Sequence, residues 1–228
     1  MSESADILVS LLICTATQFE ASLFSERLAG HSFVRVIETG VGPVNAAHAV
    51  TVAILHQRPE AIIVCGVGGS YPSSGLAVGD VVCATTEIYG DLGAQGPSGF
   101  LDMQALGFAV VKGTTPLYNE LPMQIFAVAQ RVRFVTLSTC TGTDSVARAI
   151  ELRTGGSVEN MEGCAIAHVA HLHCVPVGEV RGISNLVTNR DTKTWRLRDA
   201  AEAAQEAVVK WIESGGPDLT ACSGAPTD

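Results

Sequence analysis

Charge is scarce in this chain, and positive charge is scarcest. Charged residues make up 16% of its 228 residues, and 14 Lys and Arg face 23 Asp and Glu, for a formal net charge of −9. A protein that tracks a phosphate backbone needs clustered Lys and Arg, so the acidic balance sets nucleic acid aside as a partner. Aromatic residues are also few, at 5%. No apolar run approaches the ~20 residues of a membrane-spanning helix. The run at 7–14 follows an acidic SESAD rather than a basic stretch, with Gln18 and Glu20 close behind, so it does not read as a secretory leader. The seven cysteines are odd in number and have no repeated spacing. Most lie inside apolar runs, where a free thiol packs as a small hydrophobe, and this suits a reducing cytoplasm rather than a disulfide framework. No G-x-S-x-G elbow is present, which counts against a serine hydrolase.

What is abundant is aliphatic: hydrophobic residues reach 47%, alongside 23 glycines. Continuous apolar runs imply strands buried on both faces. They fall at 7–16, 32–39, 61–65, 80–88, 132–138 and 175–183. Helical periodicity is expected at 19–28, 44–56, 122–131, 144–152, 162–173 and 194–213. Val44, Ala47, Val50 and Ile54 mark the packed face of the second helix, and Trp195, Ala203, Ala207 and Trp211 that of the last. Residues 89–117 lack a clear period and read as a long functional loop. The alternation predicts one α/β domain of three layers, α/β/α, with a mixed, mainly parallel central sheet. It runs over residues 1–213, followed by a frayed tail at 214–228.

Ligands of such sheets sit beyond the carboxyl ends of the strands, so polar residues closing apolar runs come first. GVGPVN at 40–45 begins like a dinucleotide fingerprint, but Asn45 stands at the third glycine position and no ribose acid follows; a turn leading into a helix is the alternative. GVGGS at 66–70 is a turn, or a place where Gly68 and Gly69 let a small ligand approach the backbone. Glu20 follows the first strand and suits general acid–base work, or it is an exposed first-turn acid. In NMEGC at 160–164, Glu162 suits a vicinal diol or caps a helix. RGISN at 181–185 ends a strand with Arg181 and Asn185, and an unpaired buried Arg181 would be costly. Cys164, His168 and His171 share a helical face, but they read as packing positions rather than metal ligands.

In chain order, AxxxE at 16–20, TGVGPVNAA at 39–47, GVGG at 66–69, VGDV at 78–81, MEG at 161–163 and RGISN at 181–185 resemble the nucleoside phosphorylase and nucleosidase superfamily. Within it, YGDLGA at 89–94, GF at 99–100, LGF at 106–108 and SNLVTNRD at 184–191 followed by Trp195 resemble the futalosine hydrolase family. The resemblance implies a nucleoside phosphorylase-like fold and hydrolysis of the N-ribosidic bond of futalosine to hypoxanthine and dehypoxanthinyl futalosine, in menaquinone biosynthesis. It gives Glu20 the attacking water, with Arg181 steadying water and carboxylates. Glu162 would hold the ribose diol, with Met161 packed on the sugar. Asn185 would bond N7 and O6 of the leaving purine; the related methylthioadenosine/S-adenosylhomocysteine nucleosidases carry Asp there, which suits adenine. Val146 would contact the base and Phe100 would line the substrate pocket, although Ser145 replaces the aromatic residue of those nucleosidases. Val64 stands where hexameric phosphorylases place a phosphate-binding Arg, which favours water over phosphate. Arg190, Lys193 and Lys112 are the alternative candidates for a cation facing the benzoate on the 5′ side, a pocket the 89–117 segment would close. The resemblance implies no metal or organic cofactor, a nucleoside as partner, and a homo-oligomer built on a dimer. A methylthioadenosine/S-adenosylhomocysteine nucleosidase and a non-catalytic nucleoside-binding protein are the rival readings.

Overall fold

The strands carry apolar side chains on both faces because both faces are covered. Successive residues of β1 (Leu11–Thr15) and of β3 (Ala61–Ser70) enter different cores. Leu12, Cys14, Ile62 and Val64 pack beneath α2 (Pro43–His56) and α5 (Gly163–Leu172). Leu11, Ile13, Ile63 and Cys65 pack beneath α6 (Leu197–Glu213), with Phe24 from α1 (Ser22–Arg27) closing that side. These are the three layers, described over residues 11–124 and 130–215 of a computed structural model. A third cluster forms where Ala147 and Ile150 of α4 (Asp144–Thr154) cover Ile88, Val135 and Leu137.

The other sheet strands are β2 (Val34–Glu38), β4 (Val81–Tyr89), β7 (Glu120–Pro122), β8 (Arg131–Thr136), β9 (Val158–Asn160) and β10 (Val177–Leu186). The order β10-β4-β8-β9-β3-β1-β2 is joined by a further β10–β3 pairing, so five strands close on one another, with β1 and β2 continuing outward. The pairs β1–β2, β1–β3, β3–β10, β4–β8 and β8–β9 are parallel, and β4–β10, β3–β9 and β4–β7 are antiparallel. The sheet is therefore mixed and mainly parallel. Among the described residues no helix is long and apolar enough to cross a membrane.

Several expectations change. GVGGS is strand rather than turn: β3 runs on to Ser70, with Gly66 to Ser70 paired to Arg181 through Leu186. The 89–117 segment holds a hairpin, β5 (Gly93–Gly96) with β6 (Gly99–Asp102), and one helical turn, α3 (Met103–Leu106). Of the helix expected at 122–131, residues 125–129 lie outside the described residues, and its two ends belong to β7 and β8. Residues 7–10 and 216–228 likewise lie outside them. The packed faces are offset: α2 buries Ala46, Val50, Ala53 and Ile54 while Val44 is exposed, and α6 buries Ala204, Val208 and Ile212 while Ala203, Ala207 and Trp211 are half-buried. Trp195 precedes α6 altogether.

Candidate active site

β10 carries Glu179 and Arg181 two residues apart, so both side chains leave the same face of the sheet. Arg181 emerges over Gly66, its register partner on β3, and that spot stays open because Gly66 has no side chain. A Cβ there would stand 2.5 Å from Glu20 Oε1 and 2.8 Å from Arg181 Nη1. Arg181 is 2% exposed. Its Nε donates to Glu179 Oε1 at 2.7 Å, Nη1 to the Val67 carbonyl at 3.0 Å, and Nη2 to Glu162 Oε2 at 3.4 Å. Burial by itself would favour the neutral guanidine, but the charges of Glu179, Glu162 and Glu20 outweigh it and raise the guanidinium further above its ordinary range.

Glu20 closes a 3₁₀ turn, Gln18–Glu20, and is buried rather than exposed. Its Oε2 accepts from the Thr17 amide at 3.0 Å and the Thr17 hydroxyl at 2.7 Å, and its Oε1 from the Val67 amide at 3.0 Å. A carboxylate offers about four acceptor sites, so three are spent on orientation and one remains for a ligand or water.

Glu162 stands at the N-terminus of α5 but does not cap it. Its Oε1 instead accepts from the Gly42 amide at 3.0 Å, across the cleft. The GVGPVN turn thus has a use that its fingerprint did not suggest: Gly40 and Gly42 adopt φ of +82° and +92°, a region glycine enters freely, and the N-terminus of α2 faces a carboxylate. The positive end of that helix favours the negative charge.

These groups line one cleft of about 710 Å³, open mouth included. Of the expected residues, Glu20, Arg181, Asn185, Glu162, Met161, Gly68 and Gly69 line it together. Asn185 is oriented by its neighbours, with Oδ1 2.7 Å from the Ser184 hydroxyl and Nδ2 donating to the Leu186 carbonyl at 3.1 Å. One amide proton is left over. Phe100 and Val146 do not line this cleft: they sit in an adjoining hollow with Leu137, Gly142 and Arg153, where Arg153 lies 4.1 Å over the Phe100 ring. Of the three cations, Arg190 reaches closest to the cleft, over the ring of Trp195 at 5.0 Å and 3.1 Å from Cys140 Sγ, both cleft-lining residues. Lys112 and Lys193 are exposed. The His168 ring spans the Tyr89 hydroxyl and the Val110 carbonyl, and His171 meets the Pro122 carbonyl.

Other cleft groups carry no motif. Glu159 accepts from the Tyr71 hydroxyl at 2.9 Å and the Thr141 amide at 2.8 Å, while the buried Thr141 hydroxyl has no partner. Glu179 and Glu87, 1% and 0% exposed, were also missed. Their signal was a glutamate inside an otherwise apolar strand, since buried glutamates are rare unless paired.

Glutamates thus converge on one buried arginine, with an asparagine further along the same strand, β10, and the model of the phosphorylase superfamily matches residues 16–213. A futalosine hydrolase of Thermus thermophilus is 32% identical over 199 residues, 83% of this chain and 85% of the relative. One from Streptomyces coelicolor is 36% identical over 181 residues, 77% of each chain. The fold is that of the Streptococcus pneumoniae MTA/SAH nucleosidase crystallised with 8-aminoadenine, at a TM-score of 0.76 and 21% identity, covering 90% of this chain and 99% of that one. The chain belongs to the phosphorylase superfamily and, within it, to the futalosine hydrolase family.

Proposed function

We propose that this cleft hydrolyses the N-ribosidic bond of futalosine, releasing hypoxanthine and leaving dehypoxanthinyl futalosine, a step of menaquinone biosynthesis in the cytoplasm. The observation that carries the reading is the state of Arg181. It is the one cation among the described residues lining the cleft, and Glu179, Glu162 and the Val67 carbonyl already engage it. A phosphate dianion would meet no uncommitted positive group there, so water is the nucleophile.

The chemistry follows from placement. As the glycosidic bond breaks, positive charge develops on the ribose, and Glu162 beside the sugar hydroxyls stabilises it. Glu20, held by three donors, uses its remaining acceptor site to orient the water and take its proton. Met161 packs against the sugar. Asn185, with Oδ1 turned to Ser184, offers its spare amide proton to the departing purine, while the unpartnered Thr141 hydroxyl supplies a further contact on the same wall. Phe100 and Val146 act from the adjoining hollow, and Arg190 beside Trp195 is the cation placed to meet the benzoate. Positioning and charge are sufficient for this reaction class.

The active form is a homo-oligomer built on a dimer. Val44, His48, Val52 and Leu55 recur at helical spacing along the outer face of α2, with Val41 in the turn just ahead of it, and Val44 and Leu55 are 80% and 71% exposed. An apolar stripe so exposed marks a contact surface, and Val41 also lines the cleft. The domain runs to about residue 213.

The test is a chromatographic assay of purified protein with futalosine, inosine and methylthioadenosine, in phosphate-free buffer and again with phosphate. Hypoxanthine released from futalosine without phosphate supports the reading. Adenine from methylthioadenosine moves the chain to the related nucleosidases, release only with phosphate makes it a phosphorylase, and tight binding without turnover makes it a nucleoside-binding protein.

A further inference from the structure

Behind Arg181 lies a second acidic centre that the proposed mechanism does not use. Glu179 Oε2 is buried without a hydrogen-bond partner. A Cβ on Gly163 would collide with that same oxygen and with Glu87 Oε1, so the orphan oxygen and the Glu87 carboxyl both press on one Cα atom. Two carboxylates cannot both stay ionised in such a space. A single proton between them satisfies the orphan.

The pair is wired to both sides of the cleft. Glu87 Oε1 accepts from Asn160 Nδ2 at 2.5 Å, and Oε2 from the Thr136 hydroxyl at 2.7 Å. Asn160 Oδ1 accepts the amides of Glu162 and Gly163 at 3.0 and 2.8 Å, and the Thr136 oxygen accepts the Cys164 amide at 2.8 Å. That sets the turn from which Glu162 projects. On the other side, Glu179 Oε1 receives Arg181 Nε.

We propose that Glu87 and Glu179 share one proton and act together as positioning residues, Glu87 through Asn160 on the Glu162 turn and Glu179 on Arg181. The inference rests on the hydrolase reading of the cleft. The titratable groups facing the pair are Arg181 on β10, Cys164 on α5, Tyr89 on β4 and Cys65 on β3, while β8 and β9 present the neutral Thr136 and Asn160. Burial, then the Glu179 charge, raise the Glu87 carboxyl well above the ordinary carboxylate range. Burial, then Glu87, likewise keep the Cys164 thiol neutral. A raised carboxyl stabilises the fold fully below its unfolded-state value near 4.5, and loses that contribution as pH rises through its folded-state value. Removing the proton sets two anions against each other and loosens Arg181 and Glu162 together.

Two variants separate this from simple packing. Glu179→Gln replaces the shared proton with a fixed amide donor toward Glu87 and keeps an acceptor for Arg181 Nε. Glu179→Leu fills the space and provides neither. With futalosine as substrate, Glu179→Leu is expected to lose at least ~10²-fold in kcat, the scale of misplaced catalytic groups, with KM changed less. Glu179→Gln is expected to rescue most of that loss and to hold both kcat and the melting temperature to higher pH than the wild type. The melting profile needs no substrate, so it reports on the shared proton even if futalosine proves not to be hydrolysed. Identical pH profiles of melting for wild type and Glu179→Gln would overturn the shared proton. Undiminished kcat in Glu179→Leu would overturn the positioning role.

Discussion

Placing one methyl group on Gly66 tests whether the geometry around Arg181 governs turnover. The added Cβ of Gly66→Ala would stand 2.5 Å from Glu20 Oε1 and 2.8 Å from Arg181 Nη1. To reach ordinary contact at 3.4 Å, the carboxylate must retreat by about 0.9 Å and the guanidinium by about 0.6 Å. Neither is a loose chain end, because Glu20 is tied to Thr17 and Val67 and Arg181 to Glu179 and Val67. A displacement of about 1 Å at a catalytic group costs on the order of 10²-fold in rate, and overpacking a tight site costs about 1–3 kcal/mol of stability. Gly66→Ala should therefore fold with a lowered melting temperature and turn over futalosine ~10²-fold more slowly. Gly30→Ala is the control, since its new methyl meets nothing within 4 Å and Gly30 has no positive φ. Steady-state release of hypoxanthine and a thermal melt on the same samples measure both quantities. Turnover within twofold of wild type at an unchanged melting temperature would refute the claim that the bare Cα of Gly66 places these groups.

Glu162→Gln keeps an acceptor for the Gly42 amide but removes the charge facing Arg181 and the sugar. Loss of one charge-assisted bond, about 1.5–3 kcal/mol, lowers kcat/KM on futalosine roughly 10- to 150-fold, and an unchanged kcat/KM would remove Glu162 from the ribose site. Asn185→Asp should move preference from 6-oxo toward 6-amino nucleosides, read as the ratio of kcat/KM for the two; a constant ratio means that Asn185 does not read the base. In Gly182→Ala the new Cβ meets the Ala200 carbonyl of α6 well inside contact distance. An overpacking cost of about 1–3 kcal/mol then lowers the melting temperature by roughly 2–12 °C in a chain of this size, which calorimetry would register.

The sequence was most legible where one local force dominated. Apolar runs marked β1, β3, β4, β8 and β10 because both sheet faces are buried, and the polar residues Glu20, Glu162, Arg181 and Asn185 that follow or close such runs line one cleft. Legibility failed where non-local pairing decided. GVGGS has poor intrinsic strand propensity, yet pairing with β10 along its length and with β9 at Gly69 and Ser70 makes it strand. β9 itself has three residues, too few to show a period. The packed faces of α2 and α6 were misjudged because both helices are rich in alanine and the outer face of α2 is itself apolar. Phe100 and Val146 entered through family resemblance alone; the β5–β6 hairpin seats Phe100, and α4 seats Val146, beside the cleft rather than in it.

The glycine-bearing half of β3 is bordered by β10, the last strand of the described sheet. Glu20 and the Val67 amide are made early in synthesis, but Arg181, to which Glu162 and Glu179 both bond, arrives late. While the chain is still growing, Glu20 lacks the cation that faces it, and docking of β10 beside β3 must close a long loop before that charge is compensated. Catalytic competence is thus a late folding event. A chain stalled or truncated before β10 is inert, and the onset of turnover during refolding can serve as a clock for that final docking step.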